Sequence, residues 1–333
     1  MTLILSYGMG VESTTILHRW LSEPASRDFD LDDLTVVTAM TGSEFPDTRR
    51  VVETHMLPLM RAHGVRYVQL ARSGHEQACG VTVLSIMFKG WVIDTWLAAE
   101  LCGRPYRHVL GFNAEEARRI ERDRCYGGAA RTSEYPLVSW GMGRAACETY
   151  LARHTGEAWP KSCCTFCPFA RGKEDILRRF RAMPEQAAEA LLLEHVALCL
   201  NPRMTLYAHA SLWDLLVQDN NEQALRAFEA RLEQCDYALY RVRRLYTSKG
   251  NARRSVEKLL TGTRQECLRG LFGRAGQVER DGRGFLRRYV RKPEPGVYPT
   301  AEEMLVVGPA LAGEKSRANF EGQWRKGLAV ITK

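Results

Sequence analysis

The sequence predicts an α/β fold: a mostly parallel sheet with helices on both faces, followed by a helical, basic C-terminal region. Over the first half of the chain, short apolar runs alternate with segments of helical spacing, the order that builds parallel sheets. Hydrophobic residues make up 45% of the 333 positions, enough for one large core or two modest ones. Charge is uneven. Of 47 Lys/Arg and 39 Asp/Glu, 21 and 9 fall between Arg241 and Lys333, leaving 26 and 30 before them.

The first strand is Thr2-Leu-Ile-Leu5, and Ile16, Leu17, Trp20 and Leu21 recur behind it at helical spacing. Ser6-Tyr-Gly8-Met-Gly10-Val11-Glu12-Ser13 is therefore a tight loop entering a helix. The first N–H groups of such a helix point into the loop with the positive dipole end behind them, and small residues let an anion approach. By chemistry it reads either as a phosphate cradle or as a Gly-rich strand-to-helix turn that binds no phosphate, and it lacks the Gly-Lys-Ser/Thr of a Walker loop and the spacing of a dinucleotide fingerprint.

Further strands are expected at 34–40, 65–70, 107–112 and 135–139, and helices at 49–63, 84–101 and 144–154. The second strand breaks at Thr41-Gly42-Ser-Glu44-Phe-Pro-Asp-Thr48, and the fourth runs into the charged segment 113–124. Parallel sheets bind ligands at the carboxyl ends of their strands. The loops at 6–13, 41–48 and 111–119 are thus expected to converge on one cleft. Beyond Pro168, helices are expected at 174–182, 184–200, 205–217 and 222–245, then a Gly- and Arg-rich stretch at 250–296. The division proposed is 1–169 and 170–333.

No apolar run approaches the roughly 18 residues of a membrane span, so the expectation is a cytoplasmic protein with no membrane partner. Ten cysteines are too sparse for a disulfide scaffold. Those that cluster suggest a metal or sulfur chemistry: Arg144-Ala-Ala-Cys147, then Pro160-Lys-Ser-Cys163-Cys164-Thr-Phe-Cys167-Pro168. A Cys-x-x-Cys turn aims two thiolates at one ion, and a third from the preceding helix completes three of four tetrahedral positions. A [4Fe–4S] cluster is favoured over Zn²⁺, which would want a fourth ligand from Cys163, Cys199, Cys235, His195 or His209. A thioredoxin-like redox pair fits less well, because Pro168 follows directly. Arg241-Val-Arg-Arg244, Arg253-Arg254, Arg287-Arg288 and Arg291-Lys292, interleaved with Tyr240, Tyr246, Phe285 and Tyr289, form either a surface for a nucleic-acid backbone or a solvated Arg-rich face.

Residues 6–13 resemble, without a gap, the Ser-x-Ser-Gly-Gly-x-Asp-Ser PP-loop of ATP pyrophosphatases, with Glu12 for the Asp and Met9 for the first paired Gly. Thr41 to Thr48 resembles the Asp-Thr-Gly-x-x-Phe-Pro-Glu-Thr segment of the phosphoadenosine phosphosulfate (PAPS) reductase superfamily. Gly111-Phe-Asn-Ala-Glu-Glu-Ala-Arg118-Arg119 and Tyr135-Pro-Leu-Val-Ser-Trp140 resemble two later segments of that group. The cysteine pattern is similar to that of its DNA phosphorothioation branch. The likeness spans about residues 1 to 170.

The resemblance implies an adenine nucleotide α-hydrolase-like fold and a set of roles. Ser6, Gly8, Gly10, Val11, Glu12 and Ser13 would hold ATP phosphates, with Mg²⁺ on Glu12. Thr41, Gly42, Glu44 and Gly111 would line the nucleotide. Ser13, Glu12, Arg118 and Arg119 would act in catalysis, and Cys147, Cys164 and Cys167 would bind the metal centre. The implied activity is conversion of ATP to AMP and pyrophosphate, activating an acceptor for sulfur from a donor such as a cysteine desulfurase. DNA phosphorothioation comes first and tRNA thiolation second. A PAPS or APS reductase ranks lower, because no Glu-Cys-Gly-x-His nucleophile segment is present. A catalytically idle nucleic-acid or partner-binding module with a structural zinc is the reading from another class. An oligomer is compatible with all of them.

Overall fold

The computed structural model describes residues 1–71, 89–126, 128–167, 172–207 and 210–331. They form two compact units that part after Cys167. The expected helical residues 84–88, the residues at 168–169 where the boundary was placed, and His209 lie outside the described residues.

The first unit is built on a five-stranded parallel sheet in the order β3-β2-β1-β4-β5, with β1 at Leu3–Ser6, β2 at Leu34–Met40, β3 at Arg66–Ala71, β4 at Tyr106–Leu110 and β5 at Arg131–Glu134. Ser6 pairs with Val37 on one side and Leu110 on the other. Period-two alternation divides β1 between two cores. Leu3, Leu5 and Tyr7 pack with Ile16, Leu17, Trp20 and Leu21 of helix α1 (Val11–Ser22). Ile4 packs with Val37 and with Leu97 and Leu101 from the helix Trp91–Leu101. Helices therefore cover both faces. Each large apolar side chain buried this way contributes roughly 1.5–3 kcal/mol.

After β2 come α2 (Pro46–Val51), a π-helical segment Val52–Met56, and α3 (Leu57–Ala62). Pro58 explains the widened turn: it has no N–H to donate to the preceding turn, so the hydrogen-bond ladder must change register there. Trp91–Leu101 is α4 and Ala117–Arg124 is α5.

The strand expected at 135–139 is a correction. The strand is the polar stretch Arg131–Glu134, at the edge of the sheet beside β4, and Pro136–Ser139 is a single helical turn, α6, opened by Pro136. Proline with its fixed φ suits the first turn of a helix better than a strand interior. Helix α7 (Arg144–Thr155) then packs along α1 and ends on Gly156 at φ 75°.

The second unit is not the helical region expected. Helices α8 (Lys173–Ala182), α9 (Pro184–Leu200), α10 (Leu212–Gln218) and α11 (Glu222–Gln234) are followed by an antiparallel five-stranded sheet. Its order is β7-β6-β10-β9-β8, with β6 at Tyr237–Ser248, β7 at Asn251–Gly262, β8 at Gln277–Arg280, β9 at Leu286–Arg291 and β10 at Thr300–Pro309. The helix expected to run from 222 to 245 stops at Gln234. The residues after it alternate: Ala238, Tyr240 and Val242 face Val196 and Cys199 of α9, while Tyr237 and Leu239 face Cys267 and Leu271 of α12 (Arg264–Phe272). Burial on both faces hides the alternation, and an apolar run of that kind passes for a helix. The helix expected over 205–217 is shorter and begins at Leu212, where the Ser211 hydroxyl accepts the Asp214 N–H. The stretch at 250–296 holds the β6–β7 turn on Gly250 (φ 83°), β7, α12, β8 and β9. A last helix, α13, covers Phe320–Ile331.

Candidate functional site

The loop at 6–13 leaves β1 at its carboxyl end and enters α1 with Gly10 as the residue before the helix, in an extended conformation and with no side-chain hydrogen bond to it among the described residues. Helix α1 therefore opens on backbone N–H groups at the end of the sheet where its dipole is positive. Ser13 is buried, and its hydroxyl reaches the Gly10 carbonyl at 3.4 Å. Met9 holds φ 58°, the left-handed region that glycine prefers, in the position where the PP-loop pattern has Gly. Its side chain is buried in the α1 core and its carbonyl accepts the Trp159 Nε1–H at 3.0 Å.

The loop after β4 meets this one. Gly111, one residue beyond Leu110 of β4, lies so close to α1 that a Cβ there would come 2.9 Å from the Ser13 nitrogen. Asn113 is buried and its Nδ2 reaches Glu12 Oε1 at 3.4 Å, while its Oδ1 accepts the Glu115 N–H. In the loop after β2, Glu44 accepts hydrogen bonds from Thr41 N, Thr41 Oγ1 and Gly42 N at 2.7, 2.7 and 3.1 Å. This changes its expected part. The N–H groups of Thr41 and Gly42 are engaged by Glu44 itself, so Glu44 shapes the loop instead of presenting those donors to a ligand.

Glu12 is held by a residue to which sequence reasoning gave no role. Arg144, at the start of α7, donates to Glu12 Oε1 at 2.8 Å and also pairs with Glu148. The other Glu12 oxygen turns back toward Gly10, 3.8 Å from where a Cβ would sit. Arg144 stood in plain view three residues before Cys147, but its partner lies 132 residues away and nothing local announces the pair. The segment 160–168 likewise drew attention only for its cysteines. Ser162 Oγ lies against Gly10, 2.9 Å from a Cβ there, and Thr165 N–H donates to the Ser43 carbonyl beside a bridge between Glu44 and Cys164.

The two candidate arginines separate. Arg119 pairs with Glu116 at 2.6 Å and lies over the Phe112 ring. Arg118 is exposed and makes no side-chain hydrogen bond or ion pair among the described residues.

Cys147, Cys163 and Cys164 are buried and Cys167 is half-buried. The Cys164 thiol is pushed up first by its hydrogen bond with Cys167 and then by burial, against the pull of the Lys89 ammonium. Burial pushes Cys147 up to about 11, and the Thr15 hydroxyl donates to the Cys147 carbonyl at 3.4 Å. Among the described residues no three His, Cys, Asp or Glu side chains stand close enough together to hold a metal ion. As placed, Cys164 and Cys167 form a pair, and Cys147 is turned to α1. Two thiolates, Cys164 and Cys167, stand together for such a centre, and Cys147 does not join them.

The Arg-rich surface is corrected in part. Arg243 is buried against Phe320 and Trp324 and pairs with Glu321; Arg244 pairs with Glu302 at 2.5 Å and donates to the Leu200 carbonyl. Arg287, 2% exposed, pairs with Asp281 and donates to the Leu198 carbonyl at 2.5 Å. Arg241 pairs with Glu257. These cations neutralise carboxylates and carbonyls inside the second unit, whereas Lys249, Arg253 and Arg254 stay exposed at the end of the β6–β7 hairpin. A cleft of about 670 Å³ in the same unit is lined by His195 and Cys235, two of the residues offered as a fourth zinc ligand, and by Arg264 and Arg283 among others.

The chain matches no protein-family model and no curated protein. No helix among the described residues is long and apolar enough to cross a membrane.

Proposed function

We propose that the first unit is an ATP pyrophosphatase that forms AMP and pyrophosphate and activates an acceptor for sulfur transfer, with DNA phosphorothioation as the setting. The observation that carries this reading is the meeting of the loops after β1 and β4 at the opening of α1, where Gly111 abuts Ser13 and Asn113 and Arg144 hold Glu12. Anion-binding N–H groups, two hydroxyls and one oriented carboxylate at the carboxyl ends of parallel strands suit a triphosphate.

In this reading the N–H groups of Val11, Glu12 and Ser13, with the Ser6 and Ser13 hydroxyls, grip the β- and γ-phosphates. Gly8 and Gly10 leave room for them, and the 41–44 loop, shaped by Glu44, borders the adenosine. Glu12 turns its outer oxygen to the loop and would hold Mg²⁺ there, which would neutralise phosphate charge. Attack by an acceptor oxygen on the α-phosphate expels pyrophosphate, and Arg118 offsets the charge that grows on that leaving group. Positioning and electrostatics do this work without an enzyme nucleophile.

A pyrophosphate-release assay with ATP tests the reading. Ser13→Ala should lower turnover by about 10²-fold or more, the common cost of losing a transition-state contact. Arg118→Ala should do likewise, whereas Arg119→Ala should change turnover little because its charge is spent on Glu116. Normal turnover in Ser13→Ala, or no pyrophosphate from the wild type with any acceptor, sinks it.

A further inference from the structure

Ser6 closes β1 and is the first residue of the phosphate loop. Its Oγ lies 2.8 Å from His108 Nε2 on the neighbouring strand β4. On the far side of the ring, Arg131 of β5 donates from Nε to His108 Nδ1 at 2.8 Å, and the same guanidinium donates to both oxygens of Asp123 on α5 at 2.8 and 3.0 Å. Tyr135 donates to Asp123 at 2.8 Å. Four elements thus contribute to one chain of hydrogen bonds that ends at the loop.

The chemistry gives that chain a direction. A guanidinium has no acceptor, so His108 Nδ1 must present its lone pair, and the proton of the neutral ring is on Nε2. His108 is 6% exposed, and burial beside the Arg131 cation holds its pKa down at about 4, so the ring is neutral. The groups facing it are Arg131 from β5, Ser6 from β1, Tyr106 on its own strand, and Asp123 and Asp94 in the field of Arg131. Nε2–H then donates to Ser6 Oγ, and the serine's own proton must point elsewhere. Among the described residues the hydroxyl has no other partner. Each bond in such a series polarises the next.

We propose that Asp123, Arg131 and His108 form a positioning chain that holds the Ser6 hydroxyl as a hydrogen-bond donor toward an oxyanion in the loop. Under the function proposed above, on which the identity of the anion rests, it is a phosphate oxygen of ATP or pyrophosphate. His108 touches no substrate in this scheme; it acts through Ser6.

The test has two independent readouts on the full chain. The first is the tautomer of His108 from long-range nitrogen–proton correlation spectra of histidine-labelled protein. A neutral ring protonated at Nε2 from pH 7 down to pH 5 is expected, and protonation at Nδ1 overturns the proposal. The second is affinity, by calorimetry, for ATP, inorganic pyrophosphate and sulfate. Ser6→Ala and His108→Leu should each weaken the bound anion about tenfold, the size of one hydrogen bond to a charged acceptor, and the double variant should lose no more than either alone. His108→Gln, which can place an amide donor near Nε2, should recover most of the affinity. A folded His108→Leu protein that binds pyrophosphate as the wild type does overturns the chain and leaves the ATP reading standing. Binding of sulfate but not ATP, still dependent on Ser6 and His108, supports the chain and removes that reading. Should His108→Leu fail to fold, Ser6→Ala and the tautomer decide.

Discussion

Gly111 has no left-handed backbone to excuse it, so an alanine there is penalised only by what its methyl would meet, the backbone of Ser13 at 2.9–3.2 Å. Backbone cannot swing aside as a side chain can. Gly111→Ala should therefore force β4's loop and the start of α1 apart, lowering stability by about 1–3 kcal/mol and weakening ATP binding in the same protein. Gly8→Ala is the contrast, since nothing lies within 4 Å of its Cβ position; its melting temperature should stay near that of the wild type. The cysteines make a second case at this scale. If a metal centre nucleates on the Cys164–Cys167 pair, protein purified without oxygen should carry iron or zinc that Cys164→Ser and Cys167→Ser both lose. Cys267→Ser, in the other unit, should keep it. Metal retained at full stoichiometry in the Cys164→Ser, Cys167→Ser double variant excludes the pair as its ligands.

The elements show what was readable in the chain and what was not. Helix α1 was legible because Ile16, Leu17, Trp20 and Leu21 all face one core, and the loops after β1, β2 and β4 because Gly, Pro and small polar residues interrupt apolar runs there. Strand β6 was not. Its two faces are both buried, so Tyr237 to Val242 carries no polar alternation, and periodicity alone cannot separate a doubly covered strand from a buried helix. The arginines of β6 and β9 misled for a related reason: charge is visible in a sequence, whereas its partner is not. Arg287 looked like a cation for solvent, yet Leu198 and Asp281 claim it inside the fold. Replacing it by Met should destabilise the protein by about 3 kcal/mol, because a half-buried carboxylate and a buried carbonyl are left without their donor. Denaturant unfolding measures this, and a change below about 0.5 kcal/mol would show that the pair contributes nothing net.

For the whole molecule, the excess of positive charge beyond residue 240 loses part of its meaning once the internal pairs are set aside. Among the exposed cations that remain, Lys249, Arg253 and Arg254 stand together near the β6–β7 turn. If that hairpin grips duplex DNA, log affinity should fall linearly with log salt, by about 0.9 for each phosphate neutralised. Reversing Arg253 and Arg254 to Glu should weaken binding and flatten that slope by close to two contacts, with no effect on unfolding. Equal slopes for both proteins, or tighter binding of tRNA than DNA, would move the acceptor away from DNA. The segment that carries the cysteine pair has a different consequence. Through Trp159 and Ser162 it rests on the loop after β1, and through Thr165 on the loop after β2. Under the function proposed above, a nucleotide and a metal would be held against one stretch of backbone, and any coupling between them would be reciprocal. Whatever factor a bound nucleotide imposed on the affinity of Cys164 and Cys167 for a metal, the metal would return to the nucleotide, and an ATP titration with and without metal would read it.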